Sequence, residues 1–241
     1  MIISHEHQYV FVEFPRTGTT SVSRELCQFY AGERILRKHS TYREFLKVAT
    51  PAQKQYFVFT CIRNPLDDAV SHFYKLKTDH RERYTHREKA QNIRRLAEYV
   101  DAYLYRYIHQ HNLDFPAFFR KFYIIPYNNW SSMGRQHYDY VMHFESLSED
   151  FSCVLQMLGV EPIRPLPQRN ATTERKKDFW EYYTPDVVPH ARRIFGPYLR
   201  QWGYEFPASW GNEPLSNWNQ VEYHFYTFFR RLYWIFLRER V

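Results

Sequence analysis

The sequence predicts an α/β fold. Two short apolar runs carry that prediction, residues 8–14 and Tyr56-Phe-Val-Phe-Thr-Cys-Ile62, each followed by a turn and a helix start. Helical segments lie between them, and two strands joined by a helical crossover form a parallel pair. At 241 residues the chain fits one domain with a sizeable core.

Residues 8–14 read as the first strand, because apolar side chains dominate from Tyr9 to Phe14. The turn Pro15-Arg-Thr-Gly-Thr-Thr-Ser21 follows, rich in hydroxyls and carrying one cation. Backbone N–H groups, hydroxyls and a cation directed at one point suit an anion at a helix N-terminus. Gly18 falls inside this turn, in a chain that has only 7 glycines. The helix is expected over 19–30, with Val22, Leu26 and Phe29 at helical spacing.

A second helix is expected to begin near Thr41. Thr41 and Glu44 form a capping-box pattern, and Phe45, Leu46 and Ala49 supply an apolar face. After the second strand, Asn64 and Pro65 give an N-cap and a first-turn proline, so a helix starts there. Residues 79–111, rich in Arg, Tyr and His, read as a charged covering helix or an inserted substrate-facing segment. Asp139–Glu145 reads as a third strand, and Ser146–Leu158 as a helix stopped by Gly159. Residues 161–178 read as a loop. Thr184, Pro185 and Asp186 open a further helix expected to end near Gly196-Pro197.

The last segment changes character. Trp218, Val221, Phe225, Phe228, Phe229, Leu232 and Phe236 recur at helical spacing, with Arg230, Arg231, Arg238 and Arg240 among them. This divides the chain into a domain over 1–214 and an aromatic, basic helical tail over 215–241. The tail is too short and too interrupted to span a bilayer. It is expected to pack on the domain or a second subunit, or to lie on an anionic membrane.

Composition narrows the function. Aromatics make up 20% of the chain and the formal charge is +7, which favours anionic partners. Cys27, Cys61 and Cys153 are widely spaced, which argues against a disulfide framework or a structural zinc site. A reducing compartment follows, with no metal required by any motif. Ser4, His5, Glu6 and His7 interrupt any apolar run after Met1, so no signal peptide is expected. The expected location is cytoplasmic, with membrane association through the tail as the alternative.

Arg63 stands at the C-terminal end of the second strand, where ligands bind in open α/β sheets. Ser71 follows Asn64 by seven residues, nearly two turns, so it faces the same side as that cap. A guanidinium and a hydroxyl can then converge on one phosphate. One anion site after each of two neighbouring strands suits a ligand with two separated anionic groups on a nucleoside.

With these two anchors, the chain resembles the sulfotransferases that use 3′-phosphoadenosine 5′-phosphosulfate (PAPS). Pro15-Arg-Thr-Gly-Thr-Thr-Ser21 looks like their 5′-phosphosulfate loop, and Arg63-Asn-Pro through Ser71 like their 3′-phosphate motif. His39-Ser-Thr-Tyr-Arg-Glu-Phe45 resembles a segment of the heparan sulfate 2-O-sulfotransferase branch whose histidine is a proposed catalytic base. His143-Phe-Glu-Ser-Leu-Ser-Glu-Asp-Phe151, Leu166-Pro with Asn170, and Trp202-Gly-Tyr-Glu-Phe206 match later landmarks, so the likeness covers roughly residues 8–207. Arg16 stands where the family usually carries a catalytic lysine, and Asp68 where a second arginine is common.

The resemblance implies a P-loop-like three-layer α/β fold with a central, mostly parallel sheet flanked by helices. It implies sulfonyl transfer from PAPS to an acceptor hydroxyl, on a sugar or glycan. His39 and Arg16 are the implied catalytic residues. Arg16, Thr17, Gly18, Thr19, Thr20, Ser21, Arg63, Ser71, Arg175 and Lys176 are the implied donor-binding residues, with Lys177 completing a late basic run. Glu44 and His72 are the alternative bases. Contact with a membrane surface or homo-oligomerisation would run through the tail.

Two other readings stay open at this level. A P-loop kinase or NTPase would need G-x-x-x-x-G-K-[ST], and this turn has no lysine and a single glycine. A non-catalytic basic binder of nucleic acid or membrane would suit the aromatic and arginine content, but no nucleic-acid-binding motif is present. No nucleic acid partner is therefore expected.

Overall fold

A computed structural model describes residues 1–86, 96–129, 138–167, 178–211, 213–233 and 236. The chain forms two compact units, Met1–Asn64 with Asn128–Ala171 and His224–Val241, and Pro65–Tyr127 with Thr172–Tyr223.

The first unit is built on a five-stranded sheet. Its strands are β1 (Ile2–Ser4), β2 (Tyr9–Val12), β3 (Glu33–Arg34), β4 (Phe57–Ile62) and β5 (Tyr140–His143), in spatial order β3-β1-β2-β4-β5. β2, β4 and β5 are parallel, with Tyr9 opposite Phe57 and Phe59 opposite Tyr140. β1 runs antiparallel to both β2 and β3, so four of the five strands share one direction. The expected mostly parallel α/β sheet is therefore present. The sequence reading missed β1 and β3, which are three and two residues long, too short for a period to show.

All four residues of β2 are buried, as a central strand covered on both faces requires. Tyr9 and Phe11, alternating along β2, join Phe59 and Cys61 of β4 and Met142 of β5 in one cluster. Against it pack α1 (Thr19–Phe29) through Val22 and Leu26, and α6 (Leu147–Met157) through Phe151, Val154 and Leu155. Gly159 takes the left-handed conformation (φ 69°) just after α6, the stop its sequence predicts. The short helix α2 (Tyr42–Val48) carries the expected capping box. Thr41 Oγ1 accepts from the Glu44 N–H, and a Glu44 carboxylate oxygen accepts from the Thr41 N–H at 2.6 Å.

The second unit is helical in its described residues. α3 (Pro65–Lys77), α4 (Leu96–Gln110), α5 (Phe115–Phe122) and α7 (Val188–Gln201) surround a core that includes Val70, Phe73, Ile108, Phe118, Phe119, Ile194 and Phe195. The helix expected across 79–111 is shorter. The Asp79 carboxylate accepts the N–H groups of Tyr84 and Thr85, a local alternative to helical bonding, so 79–86 is a turn region. α5 was missed, although Asp114 caps it by accepting from the Ala117 N–H at 2.9 Å. α7 runs past the expected stop at Gly196-Pro197. Burial of Ile194, Phe195, Tyr198 and Leu199 on either side of the proline outweighs the hydrogen bond that Pro197 removes.

The tail forms α8 (Asn217–Tyr233), as its spacing predicts. Among the described residues no helix is long and apolar enough to cross a membrane.

Candidate active site

Three neighbouring parallel strands of the first unit end side by side, at Val12 of β2, Ile62 of β4 and His143 of β5. The residues that follow each of them form the candidate site, at the sheet edge where open α/β folds bind ligands.

After β2 the chain turns through Phe14–Gly18 into α1. The Thr17 and Thr19 hydroxyls both donate to the Phe14 carbonyl oxygen, at 3.1 and 3.2 Å. They are buried and hold the turn closed. Gly18 has φ 76°, a conformation costly for other residues, and a Cβ there would lie 2.8 Å from the Phe144 ring. Glycine is needed for both reasons. As N-cap, Gly18 offers no side chain to α1, and the first turn of α1 contains no acid. The first N–H groups of a helix have no intrahelical acceptor, and the macrodipole makes that end positive. This end of α1 is thus built to receive a negative charge.

Cations stand around it. Arg16 is exposed, in the left-handed conformation (φ 66°) on the turn itself. Arg63, after β4, is buried; its guanidinium lies 4.4 Å over the Phe144 ring and donates to the Arg16 carbonyl oxygen at 3.4 Å. The structure therefore joins Arg63 to the loop. The Cys61 thiol donates to the Thr17 carbonyl oxygen at 2.9 Å, fixing the turn to β4 from beneath. Burial pushes that thiol well above its ordinary pKa, which keeps it protonated and donating. On the other flank Glu145, just after β5, accepts from the Asn64 N–H at 2.8 Å.

Lys38 is a residue that sequence reasoning missed. Its ammonium donates to the Thr20 hydroxyl at 3.2 Å, in the first turn of α1. It belongs to no short motif, and only the path of the chain from β3 to α2 brings it here.

His39 lies next to it. Its Nδ1 is 2.9 Å from the Glu13 carbonyl oxygen. A carbonyl only accepts, so Nδ1 carries the proton and Nε2 is the basic nitrogen. Burial lowers the His39 pKa, against the raising effect of that hydrogen bond. The ring is therefore neutral near pH 7. Glu13 itself is buried, and burial alone would raise its pKa. The Met1 ammonium and the Ser23 hydroxyl, each 2.6 Å away, outweigh burial and lower it.

The two alternative bases are engaged elsewhere. The Glu44 carboxylate caps α2 and pairs with Arg37. His72, in the second unit, lies 3.0 Å from the Asp101 carboxylate. Ser71 is buried on α3 of the second unit, as is Asp68. Arg175, Lys176, Lys177 and Asn170 lie outside the described residues.

A cleft of about 240 Å³ follows α1 away from the turn, lined by Ser21, Arg24, Gln28, Arg34 and Arg164 among others. Arg164 forms a two-point pair with Glu25 at 2.9 and 3.0 Å and sits 4.5 Å over the Phe29 ring. The cleft thus begins at a residue of the anion turn and is lined by Arg24 of α1, Arg34 of β3, and Arg164 paired with Glu25.

A family model described as "Sulfotransferase family" matches residues 1–202. No curated protein and no solved structure gave a significant match.

Proposed function

The chain belongs to the sulfotransferase family, and we propose that it moves a sulfonyl group from PAPS to a hydroxyl of a sugar or glycan. The observation that carries this reading is the uncapped start of α1, free of acid in its first turn and flanked by Arg16, Lys38 and Arg63. In this account residues 1–214 do the chemistry and 215–241 form a separate tail.

The residues present fit a donor of that charge. The 5′ end of PAPS is held by the N–H groups of Gly18, Thr19 and Thr20, by the Thr20 and Ser21 hydroxyls, and by Arg16 and Lys38. Thr17 and Thr19 act through the turn they hold. Arg63 takes the 3′-phosphate, and the resemblance alone assigns Ser71, Arg175 and Lys176 to the same group. The cleft that starts at Ser21 and is rimmed by arginines supports room for the rest of an anionic nucleoside.

The donor supplies an activated sulfur–oxygen bond. His39 Nε2 takes the proton of the acceptor hydroxyl as its oxygen attacks sulfur. The bond from sulfur to the 5′-phosphate oxygen breaks, and the charge growing on that phosphate is met by Arg16, Lys38 and the helix N-terminus. Positioning and fixed charge supply most of the rate, as in phosphoryl transfer. The acceptor class is supported by the likeness of His39–Phe45 to the carbohydrate branch and by the net charge of +7, which tolerates an acidic glycan.

Calorimetric titration of the full chain with PAP, the 3′,5′-bisphosphate product, tests the donor assignment. Saturable binding of PAP, weakened when the 3′-phosphate is absent, is expected. Tight Mg²⁺-dependent ATP binding with no heat from PAP would overturn it.

A further inference from the structure

We propose that Glu13 is a positioning residue for His39: its backbone carbonyl holds the ring, and its carboxylate offsets the charge the ring gains on taking a proton. This rests on the reading of His39 as the base. Glu13 follows β2 directly and precedes the turn that closes on the Phe14 carbonyl oxygen. It is 1% exposed, and a buried carboxylate has to find partners. One of its oxygens accepts from the Ser23 hydroxyl of α1 and the other from the Met1 ammonium, each at 2.6 Å. Short, charge-assisted bonds of this kind hold a side chain firmly.

The backbone of the same residue carries the carbonyl that accepts from the His39 Nδ1–H at 2.9 Å. α1, whose first turn belongs to the anion site, and His39 are thus fastened to one residue. With Nδ1 held, Nε2 takes the acceptor proton, and the ring is a cation until that proton passes to water.

That cation forms in a half-buried place, where desolvation works against it. Lys38 and the Met1 ammonium also work against it, whereas the Glu13 charge favours it. Covalent geometry keeps the Glu13 carboxylate within roughly 8 Å of Nδ1, because one residue carries both the carboxylate and the carbonyl that Nδ1 touches. Glu44 of α2 is turned to the Thr41 N–H and to Arg37. Met1 and Ser23 lower the Glu13 pKa in spite of burial, so the acid is ionised where His39 titrates. In the Ser-His-Asp triad one buried acid fixes the tautomer and stabilises the imidazolium. Here the carbonyl of Glu13 does the first and its carboxylate the second.

Nuclear magnetic resonance of the full chain, labelled at histidine and glutamate and free of ligand, tests this apart from any transfer assay, so it can fail while the proposed function stands, and the reverse. In the wild type the neutral ring should carry its proton on Nδ1 and titrate with a midpoint below 6.5. Glu13→Gln keeps the shape and removes the charge. It should lower that midpoint by about one further unit, the lower end of what a nearby charge does. Glu25→Gln replaces a different buried acid, on α1, and should leave the midpoint unchanged. Circular dichroism checks that each variant is folded. Should Glu13→Gln not fold, the Glu13 Cδ resonance of the wild type decides: it should step at the His39 midpoint, and the step should vanish in His39→Ala. A midpoint unmoved or raised in Glu13→Gln, an equal fall in Glu25→Gln, or a Cδ resonance blind to His39 overturns the proposal. A ring protonated on Nε2 when neutral, or one that stays neutral until the chain unfolds, overturns it as well.

Discussion

The Lys38 ammonium donates to the Thr20 hydroxyl at 3.2 Å, which sets a lysine beside the first turn of α1 although the turn itself carries Arg16. The family's usual loop lysine is a compact charge with rotatable donors; an arginine is a planar fork with donors in fixed directions. Lys38 brings a compact charge back to the same helix end from another part of the chain.

Lys38→Ala should therefore slow turnover by about 10²-fold, the lower end of what removing a transition-state donor costs. Lys38→Arg should recover part of the loss. Steady-state rates at saturating PAPS check this, and unchanged turnover in the alanine variant would remove Lys38 from the site. Because Lys38 is exposed, thermal stability should hardly change.

Arg16→Ala should lose at least ~10²-fold in turnover, the scale for losing charge stabilisation at the leaving group. Arg16→Lys should retain much of the activity. Both are read at saturating PAPS, so that weaker binding is not mistaken for slower chemistry. Equal activity of the alanine variant and the wild type would mean that Arg16 points away from the donor.

His39 gives a pH signature. Burial lowers its pKa below the ordinary 6.5, so the basic Nε2 is present above that lowered value and lost as pH falls through it. Turnover should fall on the acid side with an apparent pKa below 6.5. His39→Ala should remove that limb and lower turnover by roughly 10²–10⁴-fold, with PAP affinity nearly unchanged. The sign for stability follows: the unfolded chain binds the proton more readily, so stability falls as pH drops below 6.5 toward the folded value. An acid limb that survives in His39→Ala assigns it to another group.

Gly18→Ala tests the turn. The left-handed φ costs about 1–2 kcal/mol for a residue with a Cβ, and contact with the Phe144 ring at 2.8 Å adds to it. Thermal denaturation should show a drop on the order of 2 kcal/mol or more, and PAP binding should weaken with it. A variant as stable and as tight as the wild type would mean that the turn relaxes without cost.

Much of this architecture was legible. β2, the turn and α1 could be read because an apolar run gives way to hydroxyls and then to helical spacing at Val22, Leu26 and Phe29. The capping box at Thr41 and Glu44 is a local bond pattern, so it survived into the structure. β1 and β3 were not legible, because their hydrogen bonds to neighbours, not any period, make them strands. α5 had its signal in plain sight, with Asp114 as cap and Phe115, Phe118, Phe119 and Phe122 at helical spacing. In the site, the types of Arg16, Gly18, His39 and Arg63 suggested their chemistry. The contact of Arg63 with the Arg16 carbonyl and the approach of Lys38 depend on tertiary placement and left no mark in the sequence.

The role proposed for Arg63 is to hold the 3′-phosphate, and ligands with and without that phosphate test it. Arg63→Ala should weaken PAP binding by about 10–150-fold, the equivalent of the 1.5–3 kcal/mol of a hydrogen bond to a charged group. Ser71→Ala should weaken it less, and adenosine 5′-phosphosulfate, which lacks the 3′-phosphate, should respond little to either. Arg63 also packs on Phe144 and bonds the loop, so folding is checked alongside. Equal losses for both ligands would place Arg63 at the turn rather than at the 3′-phosphate.

The central claim is sulfonyl transfer, and incubation with PAPS carrying a radiolabelled sulfonyl group, across a panel of sugar and glycan acceptors, tests it most directly. The account predicts label on an acceptor hydroxyl, PAP formed in equal amount, and both lost together in Arg16→Ala and His39→Ala. PAP-binding protein that transfers no label to any hydroxyl acceptor, with or without these substitutions, would contradict it.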